Sequence, residues 1–278
     1  MGKRHLDKLL VVTASIALAL SVTAGAAAKR KRSRAKKPDA ATVAAIENAT
    51  QLMSQESAED VEAGIQSLGL LGTKEAVTPL IVRVRAGLPE QLLETAIVTL
   101  MALGQPDAGP VLIELTRHRR PGIRMRAIEA LVALDPPGAE GALSTALSDG
   151  DADVRAAAAS GLGEIGSPES IERLFLALDK GNLEASGAIG KLIDAKEAGR
   201  LLEYLGKVPF RSLSHALGEV LQRKDVGESV KLRIVARLEE VGTPEVKGYL
   251  GDLMSTAGTA LGPKVTKAVL RAMQEIAD

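Results

Sequence analysis

A pattern of about 31 residues recurs along this chain, and no other feature of the sequence restricts its fold so tightly. The runs EAGIQSLGLLG, ETAIVTLMALG, RMRAIEALVALD and RAAAASGLGEIG close on Gly72, Gly104, Asp135 and Gly166, which serve as origins. These origins are 32, 31 and 31 residues apart, and Gly242, after KLRIVARLEEVG, marks a later copy. Leu80, Leu112, Leu143 and Leu174 stand eight residues past an origin; Arg124 and Arg155 stand eleven before one. A fixed period with matched apolar positions is the signature of a repeat array, in which each unit buries its apolar face by stacking on its neighbours.

The unit at 151–181 shows what stacks. Val154, Ala158, Leu162 and Ile165 recur at helical spacing, as do Ile171, Leu174, Phe175 and Leu178 further on. Gly166 between them reads as a left-handed C-terminal cap, Ser167 as an N-cap and Pro168 as a first-turn residue. Neither helix is long enough to be stable alone. No stretch alternates apolar and polar residues over a useful length. The expected fold is therefore all-α: a right-handed α-solenoid of stacked helical hairpins. The hairpins are regular over 58–181, as units at 58–87, 88–119, 120–150 and 151–181, and irregular over 182–278. In the irregular part, helices are expected near 183–193, 197–205, 212–222, 228–241, 244–254 and 264–277. Residues 39–57, with Ala40, Val43, Ile46, Ala49, Leu52 and Met53 on one face, read as a capping helix, because the first element of a solenoid must cover an open end.

The phrases D-x-x-V-R-x-x-A at 151–158 and L-G-x-I-G-S-P-E at 162–169 resemble short HEAT repeats of the kind found in phycobilin lyases. The resemblance covers most of 58–278 and implies the fold. It does not bring an activity with it. Deoxyhypusine hydroxylases, which are similar, hold two irons with repeated His-Glu pairs, and no such pair occurs here. A tetrapyrrole groove calls for aromatic walls, and this chain has two Phe, two Tyr and no Trp. Some repair enzymes bind DNA on HEAT-like arrays, but residues 38–278 hold 25 basic and 34 acidic side chains, a net charge of −9, which opposes that use.

The N-terminus carries a different message. Lys3, Arg4 and Lys8 precede an apolar run at 9–20, and Ala24-Gly25-Ala26 offers a small-residue exit. This is the pattern of a secretory signal peptide over 1–26. The alternative is an uncleaved membrane anchor at 9–28, favoured by the cations that follow it. Those cations are Lys29, Arg30, Lys31, Arg32, Arg34, Lys36 and Lys37, in a basic linker over 27–38 expected to be disordered. They suit an anionic surface such as a lipid headgroup layer. The expected location is the periplasm or outside the cell, with inner-membrane anchoring as the alternative. The chain has no Cys, hence no disulfide and no thiolate metal site.

No residues mark a catalytic centre. His118 lies in a loop beside arginines and His215 lies on a helix, with no second imidazole at ligand spacing. Phosphate-loop and nucleophile-elbow motifs are absent. Asp149, Asp151 and Asp153 imitate part of a calcium loop, but Ser160 stands where the twelfth-position glutamate belongs. No cofactor or metal is expected. The reading is a monomeric, non-enzymatic scaffold that binds a protein partner on a concave face made by the second helices. An enzyme or lyase-related protein with an unidentified ligand, or a nucleic-acid binder facing the cytoplasm, remain the alternatives. Positions six, ten and thirteen past each origin should face outward. They supply the candidate partner-binding residues Arg85, Glu114, Arg117, Thr145, Glu172 and Asp179, a ridge that begins basic and ends acidic.

Overall fold

The computed structural model describes residues 38–194, 197–257 and 260–277. The signal or anchor segment and the cations from Lys29 to Lys37 lie outside the described residues. Every regular element described is helical, and a single isolated bridge joins Leu205 to Val208. Helix α1 (Ala40–Met53) starts at Asp39, whose carboxylate accepts the Thr42 N–H at 2.7 Å. It buries Ala49 and Met53 against the first hairpin, while Val43, expected on the same face, is exposed.

Four hairpins follow: α2 (Ala58–Leu71) with α3 (Val77–Ala86), α4 (Glu90–Leu103) with α5 (Gly109–Leu115), α6 (Pro121–Leu134) with α7 (Ala139–Ala146), and α8 (Ala152–Ile165) with α9 (Ile171–Asp179). Each first helix has 14 residues and each second helix only 7 to 10. Three second helices are entered through 3-10 turns at Lys74–Ala76, Pro106–Ala108 and Pro168–Ser170. The first helices lie side by side as one layer, and each second helix seats on the first helix of the next hairpin. Leu68, Leu100, Leu131 and Leu162, four before each origin, are fully buried together with Leu80, Leu112, Leu143 and Leu174. Burying each contributes roughly 1.5–3 kcal/mol, so an unstacked hairpin would forfeit most of what holds it folded. Gly161 sets the approach of two first helices: a Cβ there would lie 2.6 Å from Val132 Cγ2.

The origins mostly turn as expected. Gly72, Gly104 and Gly242 take left-handed backbone, and Asp135 is the one described non-glycine residue with positive φ, at 42°; its short polar side chain tolerates that region. Gly166 differs from expectation. Its φ is −69° and ψ 158°, extended rather than left-handed. Glycine stands there for space, since a Cβ would meet the Leu162 carbonyl oxygen at 2.2 Å. Nor does Ser167 cap its own helix. Its N–H and hydroxyl donate to Glu140 Oε1 on α7, at 3.1 and 2.7 Å, and Ser170 Oγ donates to the same oxygen at 2.5 Å. The serines thus tie one hairpin to the one before it.

The arginine eleven before the origin does the same at the other end of the hairpin. Arg124 donates to the carbonyls of His118 (2.9 Å) and Arg119 (3.3 Å) and to Asp149 Oδ1 (2.6 Å). Arg155 donates to the carbonyls of Asp149 (2.8 Å) and Gly150 (3.2 Å). Asp149 stands 25 residues after Arg124, but Lys180 stands 25 after Arg155. A cation there cannot receive the arginine, so this link is not repeated one unit on. In the later copy Lys231 takes the arginine place, 6% exposed, with desolvation pushing its pKa down.

Beyond residue 181 come α10 (Ala185–Leu192), α11 (Phe210–Gln222), α12 (Glu228–Val241), α13 (Pro244–Ala257) and α14 (Pro263–Glu275). The element expected at 197–205 is a 3-10 helix, Glu197–Tyr204, rather than an α-helix. Eight residues is long for that geometry, and side chains brace it. The Tyr204 ring stacks on Phe175 at 5.5 Å, and the Arg200 guanidinium lies 4.0 Å over the Phe175 ring. Phe210 and Tyr249 form a second pair, edge to face at 5.3 Å. All four aromatic residues of the chain thus join elements at or beyond α9, where the repeat pattern is failing.

Candidate partner-binding face

The short second helices place the outward positions as the period requires. Thr78, Val82, Arg85, Pro110, Glu114, Arg117, Gly141, Thr145, Ser148, Glu172, Leu176 and Asp179 are all exposed. Val82 and Leu176 are large apolar side chains left 62% and 53% open to solvent. The charges among these positions are not a continuous ridge, because most are satisfied within the chain. Arg85 makes two hydrogen bonds to Glu114, of 3.1 and 2.5 Å. Glu172 accepts two from Arg200, of 2.6 and 3.2 Å, and Asp179 accepts the Tyr204 hydroxyl at 2.9 Å. Each of these contacts joins one repeat to the next, 25 to 29 residues on. The hydrogen bond from Arg85 holds the Glu114 carboxyl below its ordinary range, and the one from Arg200 does the same for Glu172. Burial and then the Asp179 carboxylate push the Tyr204 phenol up to about 12.

Among the charged residues at these positions, Arg117 alone has no such contact. Arg117 occupies the position of Arg85, thirteen past its origin, and Thr145 occupies the position of Glu114, ten past the next one. A threonine offers no carboxylate, and its hydroxyl donates instead to the Gly141 carbonyl at 3.0 Å. Here the surface opens into a hollow of about 430 Å³, lined by Arg117, His118, Arg119, Arg124, Thr145 and Ser148 among others. Arg124 and Asp149 form its inner wall, paired at 2.6 Å and each only 13% exposed. Burial raises the Asp149 pKa, but hydrogen bonds from Arg124 and the Asp151 N–H outweigh it and leave the carboxyl low. Of the six candidate residues the structure therefore brings Arg117 and Thr145 together and pairs the other four elsewhere.

The remaining chemistry is structural. Asp151 caps α8 through the N–H groups of Asp153 and Val154, and Asp149 faces Arg124, which accounts for the apparent calcium-loop spacing. His118 Nδ1 accepts the Arg120 N–H at 3.3 Å, and His215 Nε2 lies 3.7 Å from Glu219. Among the described residues no three potential ligand side chains converge as around a metal. The sequence reading missed Arg200 and Tyr204 as partners of Glu172 and Asp179. The first carried a signal: opposite charges 28 residues apart, as in Arg85 and Glu114 at 29.

A second hollow, of about 690 Å³, opens on the first-helix side among α8, α10 and α11. Its walls are small residues such as Ala156, Ser160 and Gly187, together with Lys191, Arg211 and His215.

With the geometry in place, the family follows from sequence comparison. The family model for HEAT repeats matches residues 46–132 and 110–189, together more than half of the chain. The chain belongs to the HEAT-repeat family. No curated protein matches this HEAT-repeat chain. Among solved structures, the complex of CpcE and CpcF of phycocyanin lyase from Nostoc sp. PCC7120 is similar at 17% identity and a TM-score of 0.44, covering 92% of this chain and 100% of that one. Human deoxyhypusine hydroxylase is similar at 15% identity and a TM-score of 0.41, covering 84% of this chain and 97% of that one.

Proposed function

We propose that this HEAT-repeat protein is a non-enzymatic scaffold that holds a protein partner along its second-helix face. In this proposal its N-terminal segment delivers it to the periplasm or beyond. The observation that supports the reading is the recurrence of solvent-facing positions at a fixed register across four hairpins. That face presents exposed Val82 and Leu176 on either side of the open Arg117–Thr145 place. Protein interfaces combine exposed apolar side chains with a polar rim and are enriched in arginine, and this face carries Val82, Leu176 and Arg117 exposed. The cations Lys29 to Lys37 add a second contact in the proposal, to an anionic surface, by electrostatics alone.

Site-specific photocrosslinking in cells tests the face. Crosslinkers at Val82, Thr145 and Leu176 should capture one and the same protein, while those at Leu70 and Val98, exposed on the first helices, should not. Capture from the first-helix positions alone contradicts the reading.

A second reading, an enzyme or ligand carrier, is favoured by the 690 Å³ hollow with Lys191, Arg211 and His215 in its wall. Native mass spectrometry of protein taken from its own cell decides it: a stoichiometric small molecule lost on Arg211→Ala supports the ligand reading, and bare protein opposes it.

A further inference from the structure

We infer that the hollow at Arg117 receives a carboxylate side chain from an acidic segment of the partner, an inference that rests on the scaffold reading above. The repeat register leaves Arg117 without a partner. Arg85 and Arg117 hold equivalent places, and Arg85 is satisfied by an acid one repeat on, at Glu114. The equivalent acid for Arg117 is missing, because Thr145 stands in its place. The array thus carries a half-made contact whose other half is a carboxylate.

The local charge is also unbalanced. Four arginines cluster here. Arg120 is paired with Glu90 at 2.9 Å and Arg124 with Asp149 at 2.6 Å. Arg117 and Arg119 make no side-chain hydrogen bond or ion pair among the described residues, and both line the hollow. Two unspent guanidinium groups thus line one hollow, and an arginine binds a carboxylate through two parallel hydrogen bonds.

The lining of the hollow discriminates among anions. It holds two free arginines and one carboxylate, Asp149, too few free cations to track the backbone of a nucleic acid, which needs a continuous basic groove. The lining offers no large exposed apolar side chain beside which an acyl chain could insert. A single carboxylate on a flexible peptide meets neither obstacle.

The test uses the full chain and a fluorescein-labelled oligoglutamate peptide, read by anisotropy at low salt, with oligoglutamine as control. Arg117→Ala with Arg119→Ala should weaken oligoglutamate binding about tenfold or more without moving the thermal melt. Thr145→Glu should weaken it as much while holding or raising the melt, because it supplies the missing acid from within; a merely damaged fold would lower the melt. Equal binding by both variants, or by oligoglutamine, overturns the inference. So does equally tight, Arg117-dependent binding of a short oligodeoxynucleotide or of phosphatidylglycerol vesicles. Full crosslinking of a partner from Val82 and Leu176 in the Arg117→Ala, Arg119→Ala protein overturns this inference while leaving the scaffold reading standing.

Discussion

Two leucines two residues apart show what the period decides. Leu174 is fully buried at the shared core position, and Leu176 is more than half exposed on the candidate face. Leu174→Ala should cost roughly 2–5 kcal/mol, since the site cannot fully collapse around the loss. Leu176→Ala should stay within about 0.5 kcal/mol; paired urea melts measure both. Glu140 adds a pH dependence. The Ser170 hydroxyl, with help from Ser167, holds its carboxyl below the ordinary value of 4.5 despite partial burial. A depressed carboxylate pKa stabilises the fold above the unfolded value and ceases to do so as pH falls through the folded one. Glu140→Gln should therefore cost about 1–3 kcal/mol at neutral pH, and its penalty should shrink in acid below about pH 4.5. A penalty that stays constant with pH would assign the loss to packing. The buried leucines were legible because a helix shows its apolar face in one chain's spacing. Gly166 and Ser167 were misread because their environment comes from the hairpin before them, and local spacing carries no information about that neighbour.

At the scale of elements, the hairpins up to α9 share one plan, and after α10 the place of the second α-helix is taken by the 3-10 segment Glu197–Tyr204. The helix boundaries at 228–241 matched the sequence pattern to the residue, because Gly242 ends α12 with left-handed backbone. The 3-10 character of Glu197–Tyr204 was not legible. It depends on Phe175 and Glu172 lying where Arg200 and Tyr204 can reach them, and those belong to another hairpin. Arg200→Ala removes both the ring contact and the pair with Glu172, each worth about 0.5–1 kcal/mol at a partly open site. It should raise amide exchange in 197–204 selectively and lower the melt only slightly. A large global loss with no local change in exchange would mean that the segment is held by its buried Ala198 and Leu201 instead.

For the whole molecule, the charge is divided rather than absent. Ten basic residues within 1–37 offset an array of net charge −9 and one acid among those same residues. Deleting residues 29–37 should leave the thermal melt unchanged and weaken retention on anionic vesicles in a salt-dependent way; unchanged retention would leave the cations without that role. The candidate face was legible only as a set of outward positions, since one sequence cannot show which outward charges its neighbours will neutralise. The account's central claim is that one 31-residue register sets both the core and the face, and that it ends near Lys180. Solenoid repeats touch only their neighbours, so stability should change where the register does. Hydrogen exchange along the full chain reads this directly. The account predicts slow amides through α6 to α9 and faster ones across 197–262, with the step near residue 181. Uniform protection from α2 to α14 would contradict it.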